Sequence, residues 1–236
     1  GSSFLNEIAG RRVWVKAECL QHTGSFKFRG GWAAVSALTP DQRAAGVIAY
    51  SSGNHAQGVA FACRHFGVQG TIFMPVTTPQ QKIDKTRTFG GDAIEIVLTG
   101  DYFDQTLAAA QEYCAEKRAH FLSPFDDADV ILGQSSVAVE LLDQLGQAPD
   151  MVILPVGGGG LSSGVTAYMR AAGLKVDFRF VEPLGGASLM AALRAGAPTK
   201  LPRVNSFVDG AAVARLGDKT FAHLNWVQAE NVLLAP

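Results

Sequence analysis

The sequence predicts an α/β fold built on parallel β-sheet. Three observations carry that reading: short β-branched or apolar runs alternate with longer stretches of helical periodicity, glycine is abundant and clustered, and no apolar run approaches the length of a membrane span. Residues 13–17, 47–50, 70–76, 93–98, 151–156 and 176–181 read as strands. Residues 28–38, 55–66, 79–89, 102–117, 129–145 and 161–172 read as helices, with N-caps expected at Asn54, Asp101 and Asp129. Strand followed by helix, repeated, implies parallel pairing, because a parallel neighbour is reached only by a crossover long enough to hold a helix. Neither an internal repeat nor a low-complexity tract divides the chain, so domain borders are expected in the loops near Ala45 and Pro124.

Composition narrows the partners. The chain has 236 residues, with 20 Lys and Arg against 21 Asp and Glu for a formal net charge of −1. A chain of this length buries roughly three-quarters of its unfolded surface and needs no staple. Balanced charge without like-charge runs offers no footprint for nucleic acid or an anionic membrane, which leaves a small neutral molecule as the expected partner. Cys19, Cys63 and Cys114 are odd in number and form no C-x-x-C pair, so they are read as reduced core residues of a cytoplasmic protein. Residues 1–12 lack the apolar core of a signal peptide.

Three constellations carry chemistry. The first is Thr23-Gly24-Ser25-Phe26-Lys27-Phe28-Arg29-Gly30-Gly31, a small-residue turn that launches a helix with a lysine in its first turn. Helix dipole and amide donors disfavour an ammonium there, which biases Lys27 toward the neutral amine that a Schiff base or general base requires; the plainer reading is a solvated lysine on an amphipathic helix. The second is Tyr50-Ser51-Ser52-Gly53-Asn54-His55-Ala56-Gln57-Gly58, where a strand turns straight into a helix. Ser and Asn side chains with helix N-terminal amides suit a carboxylate, although an ordinary cap by Asn54 would look the same.

The third constellation is Val156-Gly157-Gly158-Gly159-Gly160-Leu161-Ser162-Ser163-Gly164. Each glycine would cost about 1 kcal/mol as mere helix, whereas bare amides at a helix start can wrap a phosphate. No Lys-Ser/Thr follows as in a P-loop, and the third glycine of a dinucleotide fingerprint falls on Ser162 or Ser163. A nicotinamide-dinucleotide oxidoreductase survives as an alternative only through Glu182, near where a ribose-binding acid would sit.

A nucleophilic lysine, a carboxylate cradle and a phosphate cradle together fit pyridoxal phosphate acting on an amino acid. In the order and wording of Gly24 to Gly30, Ser51 to His55, Pro124-Phe125-Asp126-Asp127 and Gly157 to Gly160, the sequence resembles the threonine/serine dehydratase family of fold-type II pyridoxal phosphate enzymes, from about Phe4 to its end. Val208-Asp209-Gly210-Ala211-Ala212-Val213 most resembles the biosynthetic threonine dehydratases.

The resemblance implies two parallel-sheet α/β domains, residues 46–121 inserted into a large domain of residues 1–45 and 122–236, with the cofactor in the cleft between them. It implies that Lys27 carries the cofactor as a Schiff base beside Phe26, that Asn54 contacts the ring oxygen, and that Gly157, Gly158, Gly159, Gly160 and Leu161 hold the phosphate. Ser51 and Ser52, with Gly53, Asn54 and His55, would hold the substrate carboxylate, Ser52 serving catalysis with Lys27. The implied reaction is β-elimination from L-threonine or L-serine to 2-oxobutanoate or pyruvate plus ammonia, in a homo-oligomer serving isoleucine biosynthesis. The serine racemase or serine dehydratase branch and a non-catalytic remnant are the alternatives kept beside it.

Two departures matter. Metal-stimulated relatives follow the strand-end acid with a second acid six residues on, but Glu182 is followed there by Ser188, so no metal site is expected. The chain also stops at Leu234-Ala235-Pro236, before the family's final segment, which is read as a fragment or a shortened paralogue. His22, His65, His120 and His223 lack metal-ligand spacing, Asp126 and Asp127 read as caps, and Phe66, Phe73 and Phe89 read as core.

Overall fold

Every strand pair in the computed structural model is parallel; the model describes residues 1–236, the Phe103 side chain aside. Strands β1 (Val47–Tyr50), β2 (Gly70–Met74), β3 (Ile94–Leu98) and β4 (His120–Leu122) make one sheet in the order β3-β2-β1-β4. Strands β5 (Met151–Pro155), β6 (Asp177–Pro183) and β7 (Val232–Ala235) make a second in the order β5-β6-β7. From β1 the chain winds outward to β3 and then returns to add β4 on the other side of β1. The winding reverses between β1 and β4, so the loops leaving their carboxyl ends diverge and open a crevice. Those loops are residues 51–53 and 123–127, which hold two of the sequence constellations.

Ten α-helices cover the sheets: α1 (Ser3–Ala9), α2 (Lys27–Ser36), α3 (Pro40–Ala45), α4 (Asn54–Phe66), α5 (Gln80–Gly90), α6 (Phe103–Lys117), α7 (Ala128–Leu145), α8 (Gly160–Ala171), α9 (Ser188–Ala195) and α10 (Asp218–Leu224). Residues 13–17 join neither sheet, contrary to expectation. A strand persists only by laddering with a neighbour, and here Val13 bonds to Ser2 and Asn6 while Trp14 and Val15 stay 57% and 64% exposed. The expected caps also move. Gly53 and Tyr102 occupy the N-cap positions of α4 and α6, and α7 is capped by Asp127, whose carboxylate accepts the Asp129 and Val130 amides at 2.9 and 3.0 Å. Geometry explains the last shift, since a capping oxygen must reach amides two or three residues ahead. Phe73 is buried and Phe66 and Phe89 pack against cores, whereas Cys19 is exposed and so is no core residue.

Helix α2 is held on two sides by contacts only glycine permits. A Cβ on Gly58 of α4 would stand 2.9 Å from the Lys27 carbonyl oxygen, and one on Gly133 of α7 would stand 2.5 Å from that of Arg29. Arg29 locks the same turn with all five of its N–H bonds, two to Glu18, two to Glu140 and one to Ser136, at 2.6 to 2.9 Å. The paired Arg29 holds the Glu140 carboxyl down at about 2. Lys27, two residues away, therefore starts from a rigid backbone.

Gly133→Ala should destabilise the protein by about 1–3 kcal/mol through forced separation of α2 and α7. Gly196→Ala, whose Cβ meets nothing within 4 Å and must only tolerate a φ of +71°, should cost less. Urea midpoints measure both, and equal losses would mean that α2 is not clamped at this crossing.

Candidate active site

Lys27 opens α2, and its amine is enclosed rather than solvated. Nζ donates to the Pro124 carbonyl at 2.5 Å and lies 5.5 and 5.8 Å from the ring centres of Phe26 and Phe125. The residue as a whole is only partly buried, but its charged end is enclosed, and this burial brings the amine from its ordinary 10.5 down to about 8. The lowered proton affinity expected from the helix start is present, and its cause is desolvation.

The loop after β1 builds a second wall. Gly53 N–H donates to Ser51 Oγ at 3.1 Å, turning the chain into α4, while the amides of Asn54, His55 and Ala56 donate to no described residue. Asn54 is the first helical residue and is exposed, so its side chain is free of capping duty. His55 is buried, donates from Nε2 to the Leu122 carbonyl at 3.1 Å, and is held neutral, its ring pushed down to about 3 by burial and by the charge of Lys27. Ser52 makes no side-chain hydrogen bond to a described residue.

Four glycines after β5 build the third wall, and their carbonyls explain which way their amides face. Ser188 Oγ donates to the Gly157 carbonyl at 3.0 Å, Thr220 Oγ1 to that of Gly158 at 2.8 Å, and Ser163 N–H to that of Gly159 at 2.8 Å. With those oxygens bound, the amides of residues 157–161 remain without a partner among the described residues, at the start of a 12-residue helix. The glycines themselves are required by packing rather than by a ligand's approach. A Cβ on Gly158 would enter the Phe125 ring at 2.2 Å, one on Gly157 would stand 3.1 Å from Ala211 Cα, and Gly159 has φ +90°.

Residues 122–127 join the three walls. Leu122 and Pro124 accept from His55 and Lys27, Phe125 lies against Gly158 and Gly160, and Asp127 caps α7. Asp126 caps α10 across the fold, its carboxylate accepting the amides of Asp218, Lys219 and Thr220 at 2.8 to 3.2 Å. Wording alone marked this segment, but not its contacts. The roles of Thr220 and Ser188 carried no sequence signal.

Glu182 answers the dinucleotide alternative. It is fully buried, and its two carboxylate oxygens accept the Leu189 and Met190 amides at 2.7 and 2.9 Å, so it anchors α9 and presents nothing to a ribose.

This combination, an enclosed low-affinity amine linked through residues 122–127 to two helix starts with free amides, is the chemistry of a cofactor-binding enzyme site. The chain matches the family model described as pyridoxal-phosphate dependent enzyme over residues 2–232, and it belongs to that family. It is 45% identical over 220 residues to the biosynthetic L-threonine dehydratase of Corynebacterium glutamicum, covering 92% of this chain and 50% of that protein. Against the Bacillus subtilis protein of the same name the figures are 43% over 232 residues, 98% and 55%, so the chain spans about half the length of the curated relatives it matches. Among solved structures, the processed form of threonine deaminase isoform 2 from Solanum lycopersicum superposes with a TM-score of 0.92 at 38% identity, over 99% of this chain and 66% of that one. Serine racemase from Dictyostelium discoideum gives 0.88 at 29% identity, over 99% and 73%. The fold is thus the fold-type II arrangement expected from the motifs.

The residues present fit the cofactor that the family implies. Unpaired amides at residues 157–161 suit its phosphate, and the enclosed amine of Lys27 suits its aldehyde.

A lysine whose folded proton affinity lies below its unfolded one releases a proton on folding, so stability should rise with pH between about 8 and 10.5. Relative to Lys27→Met, the native protein without added cofactor should gain roughly 1–3 kcal/mol across that window. Urea unfolding at both ends of the window measures it; parallel curves would show that Lys27 keeps its proton.

Proposed function

We propose that this chain carries the catalytic core of a threonine dehydratase, eliminating water from L-threonine, and from L-serine, to give 2-oxobutanoate or pyruvate with ammonia. The observation that carries the reading is the enclosed Lys27 amine, its proton affinity brought by burial to about 8, in a chain with this family membership. Bound pyridoxal phosphate would supply an electron sink for charge developing at the substrate α-carbon. Lys27 would hold the cofactor's aldehyde and, once the substrate amine takes its place there, its freed Nζ would serve as the base for the α-proton. The amides of Gly157, Gly158, Gly159, Gly160 and Leu161 would hold its phosphate, Phe26 would flank the ring, and exposed Asn54 would meet the ring oxygen. Ser51, Ser52 and Gly53, with the free amides of Asn54 and His55, would orient the substrate carboxylate beside Lys27.

The same reading makes residues 46–121 a smaller inserted domain, residues 1–45 with 122–236 the larger one, and the crevice between β1 and β4 part of the cleft. It places the protein in the cytoplasm as a homo-oligomer in the supply of isoleucine; no helix among the described residues is long and apolar enough to cross a membrane. Higher identity to threonine dehydratases than to serine racemase favours elimination over racemisation.

The purified protein should take up pyridoxal phosphate with a visible absorbance band, and Lys27→Ala should lose both the band and oxo-acid release. Borohydride reduction and peptide mapping should find the pyridoxyl group on Lys27; finding it on Lys16 or Lys82 overturns the assignment. Gly158→Val, by displacing Phe125, should weaken cofactor binding at least about tenfold. A band without turnover would identify a binding remnant.

A further inference from the structure

His55 is an uneconomical way to fill a core. Because Nε2 faces a carbonyl oxygen at 3.1 Å it must carry the proton, which leaves Nδ1 of the neutral ring as a bare acceptor. That nitrogen is buried and has no hydrogen-bond partner among the described residues. An orphaned acceptor is a standing penalty that a phenylalanine of similar volume would avoid. Packing therefore does not explain the imidazole, and its one hydrogen bond must.

That bond ends on the segment that also receives Lys27. Leu122 accepts from His55, and two residues on, Pro124 accepts from Lys27 Nζ at 2.5 Å. The opposite ends of this bridge are already fixed to each other, because Gly58, one turn along α4 from His55, abuts the Lys27 backbone carbonyl. Helix α2, helix α4 and the end of β4 thus close a ring of contacts in which the His55 bond sets how far residues 122–124 stand from α4.

We propose that His55 is a positioning residue for Lys27: by donating to the Leu122 carbonyl it holds the end of β4 where Pro124 can offer its own carbonyl to the lysine amine. Loss of that donor frees residues 122–124 to withdraw, and the amine then swings toward solvent. The significance for catalysis rests on the reading of Lys27 as the cofactor-bearing amine, but the positioning itself does not.

Trace acetylation of the cofactor-free protein at pH 8 reads the amine directly, as the acetyl ratio of Lys27 to exposed Lys175 after peptide mapping. His55→Phe and His55→Leu, which keep bulk but no donor, should raise that ratio by about fivefold, the factor carried by one net hydrogen bond. His55→Gln, which restores a donor, should stay within about twofold of the native ratio even though it fills the space less well. Urea midpoints on the same samples separate loosening of the amine from loosening of the fold. A native ratio in the Phe and Leu variants overturns the proposal, as does an equal rise in all three. Failure of the native protein to bind pyridoxal phosphate would instead sink the cofactor reading and leave this result standing.

Discussion

The carbonyl of Pro124 accepting the Lys27 amine is the contact around which the site is organised. It brings the first turn of α2 to the end of β4, and four neighbours of that carbonyl reach the remaining parts. Leu122 meets His55, Phe125 lies on the glycine turn, and Asp126 and Asp127 each fasten a helix start. Because residues 122–127 leave a sheet at the point where its winding reverses, they lie at the crevice that parallel topology opens for ligands. Site and fold therefore share one short stretch of backbone.

Enclosing an amine opposes folding, and the surrounding structure is correspondingly stiff. Arg29 spends every donor within two residues of Lys27, and glycine crossings hold α2 against α4 and α7 at distances a methyl group would forbid. Breaking a buried ion pair costs about 3–5 kcal/mol, so such a clamp resists the relaxation that would rehydrate the amine. The free amides at residues 157–161 are prepared in the same way: their carbonyls are tied by Ser188, Thr220 and Ser163, which leaves the donors oriented before anything binds.

Long periodic elements were legible in the sequence to within a residue or two, as α4 and α7 show. Short ones were not: β4 spans three residues and α10 seven, below the window in which a period can be read. α3 carries a capping box of Thr39 and Gln42 with Pro40 between them, but its six residues are too few to show a helical period. Residues 13–17 had the composition of a strand, yet pairing is a property of neighbours and not of composition. The three chemical motifs were visible because unusual local sequences are needed to place a lysine or four glycines at a helix start. The contacts made by Pro124, Asp126 and Thr220 were hidden because they join positions far apart in the chain, and that of Pro124, through its backbone carbonyl, places no special demand on residue type.

Those separations have a consequence for how the molecule forms. The bond from Lys27 to residue 124 closes a span of 97 residues, that from Asp126 to the Lys219 amide spans 93, and His55 to Leu122 spans 67. Contacts so distant must overcome chain entropy before they reward the fold, whereas helices such as α4 and α7 form from local contacts. The amine is therefore dehydrated only when these distant pieces dock. A partly folded chain would carry an ordinary, solvated lysine, so the low-affinity form of Lys27 emerges with completed folding and doubles as a chemical report that the chain has reached its native state.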